Sequence, residues 1–255
     1  MMISFSDKEG KPAPTLPEPV EQGSNRSLLL SVSLCLALSL TLWAGRWGLA
    51  GLYAYPARLL LESWEQSDPT ITGGQSFDAE RWQMAMDTLT RAQWLESNNA
   101  DLHYLAGRLH HQHALRHPPW SPQAKAYWHQ SILAYQHALQ LRPNWGYLWI
   151  LLAQARLQAG EPSTLAMTDW MRAVRFAPHS RDVRLTAIRI GFALWPHLDP
   201  QQQALVDTLT KQAMPLDGEM ILQQAAKYDL LHRVQPFLDN NPLWQRIYDR
   251  LSKNR

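Results

Sequence analysis

The stretch NWGYLWILLAQARLQAGEPSTLAMTDWMRAVRFAP, Asn144 to Pro178, decides the fold. It reads as two helix-length runs parted by a turn at Gly160-Glu161-Pro162. In the second run Ala166, Trp170 and Ala173 stand at intervals of four and three residues. On an α-helix these intervals bring a small, a large and a small side chain to one face. A neighbouring helix can then approach at the small residues while the large one fills the gap. Trp149, Leu152 and Ala153 lay out the first run, Gly160 ends it, and Pro178 closes the second. The same small–large–small spacing recurs upstream at Ser131, Tyr135 and Ala138 and again at Ala85, Leu89 and Ala92. Pro143 follows Ala138 as Pro178 follows Ala173, five residues on, so the two prolines lie 35 residues apart.

This spacing resembles the tetratricopeptide repeat, a helix–turn–helix unit of about 34 residues. A degenerate copy precedes the quoted one, with Ala106 and Gly107 on its first helix and its turn enlarged by HPPWSP, His117 to Pro122. A half-repeat covers 79–97, and a poor copy begins at Arg181. No sustained alternation of β-branched residues marks a strand. The spacing therefore predicts an all-α chain, a helical-hairpin solenoid; an ordinary antiparallel helical bundle is the alternative. Helices are predicted near 182–194, 200–214, 217–231 and 242–253, capping the apolar end of the stack, with Asp199 and Asn241 as N-caps before prolines.

Ser27 to Ala44 reads SLLLSVSLCLALSLTLWA, uncharged and bracketed by Arg26 and Arg46. Its length gives a helix of roughly 27 Å, close to the hydrocarbon thickness of a bilayer. Trp43 and Trp47 stand at one end, where indoles favour the headgroup layer. Cys35, the single cysteine, is then a small apolar side chain among leucines. A buried soluble helix would show a polar face, which this run lacks. A cleaved signal peptide would place its basic region behind a 26-residue lead, with Arg46 and Trp47 crowding the cleavage sites. A retained signal anchor fits best. Lys8, Lys11 and Arg26 before the run, against Arg46 and Arg58 after it, lean toward a cytoplasmic N-terminus. In a Gram-negative cell that makes a single-pass inner-membrane protein with a periplasmic C-terminal domain.

The expected organisation is a disordered Pro-rich tail over 1–26, a transmembrane helix over 27–47, a juxtamembrane helix and linker over 48–78, and the solenoid with its capping helices over 79–255. The juxtamembrane helix is expected to kink at Pro56, and the linker to contain the breaker SDPTITGGQ, Ser67 to Gln75.

Signals of chemistry are sparse. A net charge of +2 gives no broad attraction to nucleic acid. Seven of the ten histidines fall between His103 and His137, and His113 and His117 are one helical turn apart, a spacing at which imidazoles can share a metal. No HExxH or carboxylate–histidine set completes a site, so they read as partly exposed polar residues, with no metal or cofactor. Asp68, Glu161 and Asp169 read as caps or solvated residues, and no catalytic residues are assigned. Trp128, Trp149 and Trp170 read as fillers of interhelical gaps. Trp120, between Pro119 and Ser121-Pro122, reads either as structural or as an exposed aromatic suited to a protein hot spot or a sugar ring. Arg142, Arg156, Arg172 and Arg175 read as a solvated face, with contact to an acidic partner as the alternative.

The membrane run, YAYPAR (Tyr53 to Arg58), RAVRFAPHSRDVRL (Arg172 to Leu185) and GFALWPHL (Gly191 to Leu198) together resemble the VpsP-type proteins of bacterial exopolysaccharide biosynthesis, over most of the chain after residue 26. The resemblance implies an inner-membrane accessory protein, a non-catalytic scaffold that binds a protein component of a polysaccharide assembly or export system. Glycan contact, or a glycan-modifying activity, are its alternatives.

Overall fold

The computed structural model describes residues 22–66, 78–238 and 241–253. Among these the chain is all-helical, with no strand. The described residues divide between Gly45 and Arg46 into two units.

Helix α1 runs Gln22–Gln66 and contains Pro56 without interruption, so the membrane run and the juxtamembrane segment form one helix that begins inside the segment assigned to the tail. It is long and apolar enough to cross a membrane over Ser27–Trp64. In the first unit its side chains from Ser27, through Cys35, to Ala44 are all exposed, leucines included. An isolated helix with apolar side chains on every face has lipid as its fitting solvent. The rest of the predicted tail and the SDPTITGGQ breaker lie outside the described residues.

In the second unit α1 buries Ala50, Ala54, Ala57 and Leu61, a 4–3–4 spacing that lays one stripe along the helix. The stripe shares a core with α2 (Ala79–Leu95) and α3 (Ala100–Ala114), and the Arg46 guanidinium donates to the Leu95 carbonyl at the end of α2. Next follow α4 (Pro122–Leu141), α5 (Gly146–Ala159), α6 (Ser163–Phe176) and α7 (Arg181–Ala193), each packed on its neighbour in sequence. A second core joins α3, α4 and α5, and a third runs from α5 to the C-terminus.

Local chemistry sets these boundaries. Asp78, Asn99, Ser121 and Ser180 each accept a backbone N–H of the first turn they cap. Asp199 and Gln202 close a reciprocal capping box. Gly160 ends α5 in the left-handed region at φ 78°, where a side chain would be strained.

All nine residues of the three small–large–small trios are at most 1% exposed. Tyr135 lies beneath Gly107, Ser131 Oγ donates to the Gly107 carbonyl at 2.9 Å, and Trp170 Nε1 donates to the Ala187 carbonyl at 3.0 Å. Each trio is thus a seam between helices. Leu152 and Ala153 are buried on α5, while Pro143 and Pro178 stand exposed just beyond α4 and α6.

In the C-terminal region α8 (Pro200–Lys227) consists of two helical stretches that meet across a kink at Asp217, whose φ of −124° and ψ of 19° are non-helical. The predicted division between 214 and 217 is therefore found there, and the second stretch ends at Lys227 rather than near 231. Pro215, inside α8, lacks a backbone donor, and at the kink Arg181 of α7 holds the Asp217 carboxylate, with Nε–oxygen distances of 3.2 and 3.3 Å. A short α9 (Leu231–Val234) and the amphipathic α10 (Pro242–Lys253) follow, α10 packing on α8 through Ile247.

Candidate ligand-binding cleft

Between α4 and α6, above α5, the helices leave a cleft of about 630 Å³, within the range of roughly 300–1,000 Å³ typical of ligand sites. Leu139 and Leu152, both buried, lie at its base, and Gln136 and Gln140 line the α4 wall four residues apart. The opposite wall carries Asp169, Arg172, Arg175 and Phe176 of α6.

The charges are ordered by a network across the α5–α6 hairpin. Arg156 Nε donates to Asp169 Oδ2 at 2.7 Å, and its Nη1 donates to Glu161 in the turn. Arg172 Nη1 stands 3.6 Å from the other Asp169 oxygen. Its guanidinium lies over the Trp149 ring, 4.6 Å from the centroid, a cation–π arrangement that fixes it in place. The Trp149 Nε1–H is committed to the Pro143 carbonyl at 2.7 Å. Arg175 is exposed and has no ion pair among the described residues.

Two readings from the sequence are corrected here. Asp169 is neither a cap nor solvated; it is buried, because it shares the inner face of α6 with Ala166, Trp170 and Ala173. Burial raises its carboxyl above the ordinary carboxylate range, against the opposing pull of Arg156 and Arg172. Arg156 likewise is no part of a solvated face, with 11% of its side chain exposed. The signal for Asp169 was present: at i+3 from Ala166 it falls inside the buried stripe. Nothing in the spacing pointed to Arg156, 13 residues earlier, as its partner.

Trp120 is 58% exposed and holds a positive φ of 66°, costly for a bulky residue. Its ring edge approaches Gly160, where a Cβ would stand 3.5 Å from Cζ3. Of the three tryptophans read as gap fillers, Trp128 and Trp170 are buried, while Trp149 is half-buried and lines the cleft.

The histidines form a second group. His103, His111 and His113 are buried, not partly exposed, because α4 and α2 cover that side of α3. His113 stacks on Trp82 with centroids 4.5 Å apart and meets Tyr127 edge-on at 3.8 Å. The His113 and His117 rings lie 5.2 Å apart, nearly perpendicular. Burial pushes His111 down to about 3, with Arg108 and Arg189 adding to the shift, and His110 and His113 down to about 4. Burial also pushes the Tyr135 hydroxyl up, and that hydroxyl lies 3.3 Å from His111 Nδ1. Among the described residues, no three His, Cys, Asp or Glu side chains are placed to hold a metal ion.

No protein-family model matches the chain, and a search of curated proteins finds no match to it. The structure itself defines the class: an all-helical protein with one long apolar N-terminal helix.

Proposed function

We propose that this chain is a single-pass membrane scaffold whose helices 79–255 form a tetratricopeptide-like solenoid that binds a protein component of a bacterial exopolysaccharide assembly or export system. The observation that carries the reading is the α4–α6 cleft. It is lined by exposed cations and aromatic edges over an apolar base, and its one buried carboxylate is tied to two arginines. Such a lining suits holding a ligand more than transforming one. The anchor supports the same role, because tethering raises the local concentration of a binding surface at the membrane. The resemblance to VpsP-type proteins supplies the polysaccharide context and the inner membrane, and the lean of positive charge to the N-terminal side of the apolar run supplies the periplasm-facing topology.

Affinity capture with the full chain from cells making the polymer tests this reading. Recovery of envelope or polysaccharide-synthesis proteins is the expected result, and recovery of none of them overturns it.

A second reading rests on Trp120. Its exposed indole on a proline-flanked loop is suited to stacking on a sugar ring, which would make the protein a carbohydrate-binding module of the same machinery. Glycan binding abolished by Trp120→Ala would favour that version.

A further inference from the structure

The charge of the cleft is not balanced from within. Arg156 and Asp169 satisfy one another, and Glu161 takes the remaining face of Arg156. Arg172 shares only the far oxygen of Asp169, at 3.6 Å, and half of its side chain is exposed. Arg175 has no carboxylate at all within ion-pair distance among the described residues. Two guanidinium groups therefore present positive charge to a concave space, where low-dielectric walls strengthen the field.

The form of the occupant follows from the rest of the lining. For a sugar chain the lining offers little to stack on beyond Phe176, because Arg172 lies over one face of Trp149 and the indole N–H is already donated to Pro143. Sugar hydroxyls would also have to sit against Leu139 and Leu152, which offer no hydrogen bonds. A peptide meets both demands, because an apolar side chain can cover the leucines while a neighbouring carboxylate reaches the arginines. Gln136 and Gln140, one turn apart on the opposite wall, offer amide donors and acceptors to a peptide backbone.

We propose that the α4–α6 cleft binds an acidic segment of a protein partner, with a carboxylate on Arg175 and Arg172 and an adjacent apolar side chain on Leu139 and Leu152. This rests on the scaffold reading and names the chemistry of its partner.

The test is selection of a random dodecapeptide library on the full chain in detergent, followed by fluorescence anisotropy of the enriched peptides. The expected result is enrichment of peptides with Asp or Glu beside an apolar residue. Their affinity should fall at least tenfold on replacing the carboxylates by amides, and at least tenfold on Arg175→Glu. Arg175→Lys should retain most of the binding. Gln140→Glu, which puts a negative charge on the other wall, provides a second variant with an unaltered α6, and circular dichroism confirms that each variant folds. No enrichment, enrichment of neutral or basic peptides, binding indifferent to Arg175→Glu and Gln140→Glu, or displacement of the peptides by an oligouronate at lower concentration would each overturn the proposal. Partner capture from cells that survives Arg175→Glu would remove the cleft and leave the scaffold standing; failure of the unaltered chain to capture any such partner would remove the scaffold itself.

Discussion

Tyr135 fills the space in which Gly107 would carry a side chain: a Cβ built there would lie 2.3 Å from both Cδ1 and Cε1 of the ring. The contact joins α3 to α4, and both of its partners are buried. Gly107→Ala removes a helix-weakening glycine, which favours stability by about 1 kcal/mol. It also forces a rigid, enclosed ring to move, and overpacking of that kind costs about 1–3 kcal/mol. The clash is severe enough to place Gly107→Ala at the upper end, a net loss of about 1–2 kcal/mol in denaturant unfolding. Tyr135→Leu in the same background should restore part of it. A Gly107→Ala chain as stable as the parent would show that the seam yields.

The Arg156–Asp169 pair makes a separate prediction. Arg156→Met leaves a buried carboxylate short of its main partner, a change that costs about 3–5 kcal/mol when a pair is broken on one side. Arg156→Met with Asp169→Leu should recover most of that loss, because the buried carboxylate goes with its partner and Glu161, in the turn, keeps contact with water. In the single variant the Asp169 carboxyl rises still further. An acid whose folded value lies above its unfolded one is least costly when protonated, so the penalty should shrink as pH falls toward 4. Unfolding curves of parent and variants at pH 7 and pH 4.5 give the comparison; a penalty that is equal at both values contradicts it.

Acid should weaken the parent chain through histidines that packing shields from water. His110, His111 and His113 are neutral in the fold, with values depressed to about 4, 3 and 4, whereas in the unfolded chain each takes a proton near 6.5. The unfolded state therefore binds more protons, and stability rises with pH across this window. Their contribution is complete above about 6.5, falls as the solution is acidified and is gone once the pH passes the folded values. For the fully buried His111 the slope is about 1.4 kcal/mol per pH unit. Melting temperature measured from pH 7.5 to 4.5 should decline, and His111→Gln should flatten the decline. A flat profile in the parent would count against these rings staying neutral.

For the long apolar helix, Leu34→Arg with Leu38→Arg places two charges in the middle of an apolar run whose side chains are exposed throughout. Each charge disfavours insertion by about 2.5–3.5 kcal/mol. The doubly substituted chain should leave the membrane fraction on alkaline carbonate extraction, while the parent stays in it. An alkaline-phosphatase fusion after Arg255 reads the topology, with activity expected if helices 79–255 face the periplasm.

The amino-acid order alone determined much of this molecule, because much of it depends on near neighbours. An uncharged run of leucines is lipid-compatible wherever it occurs, and a residue such as Asp199 before Pro200 caps a helix through groups three residues away. Small–large–small spacing put Leu89, Tyr135 and Trp170 each on a single face that is buried. What only the tertiary structure decided is the fate of the polar residues. Arg156 reaches Asp169 from 13 residues away, Asp217 is held at a kink by an arginine 36 residues away, and three histidines lose their solvent. Whether a polar side chain can leave water depends on what another helix brings within hydrogen-bonding distance, and that depends on how helices far apart in sequence pack, not on the period of any one of them.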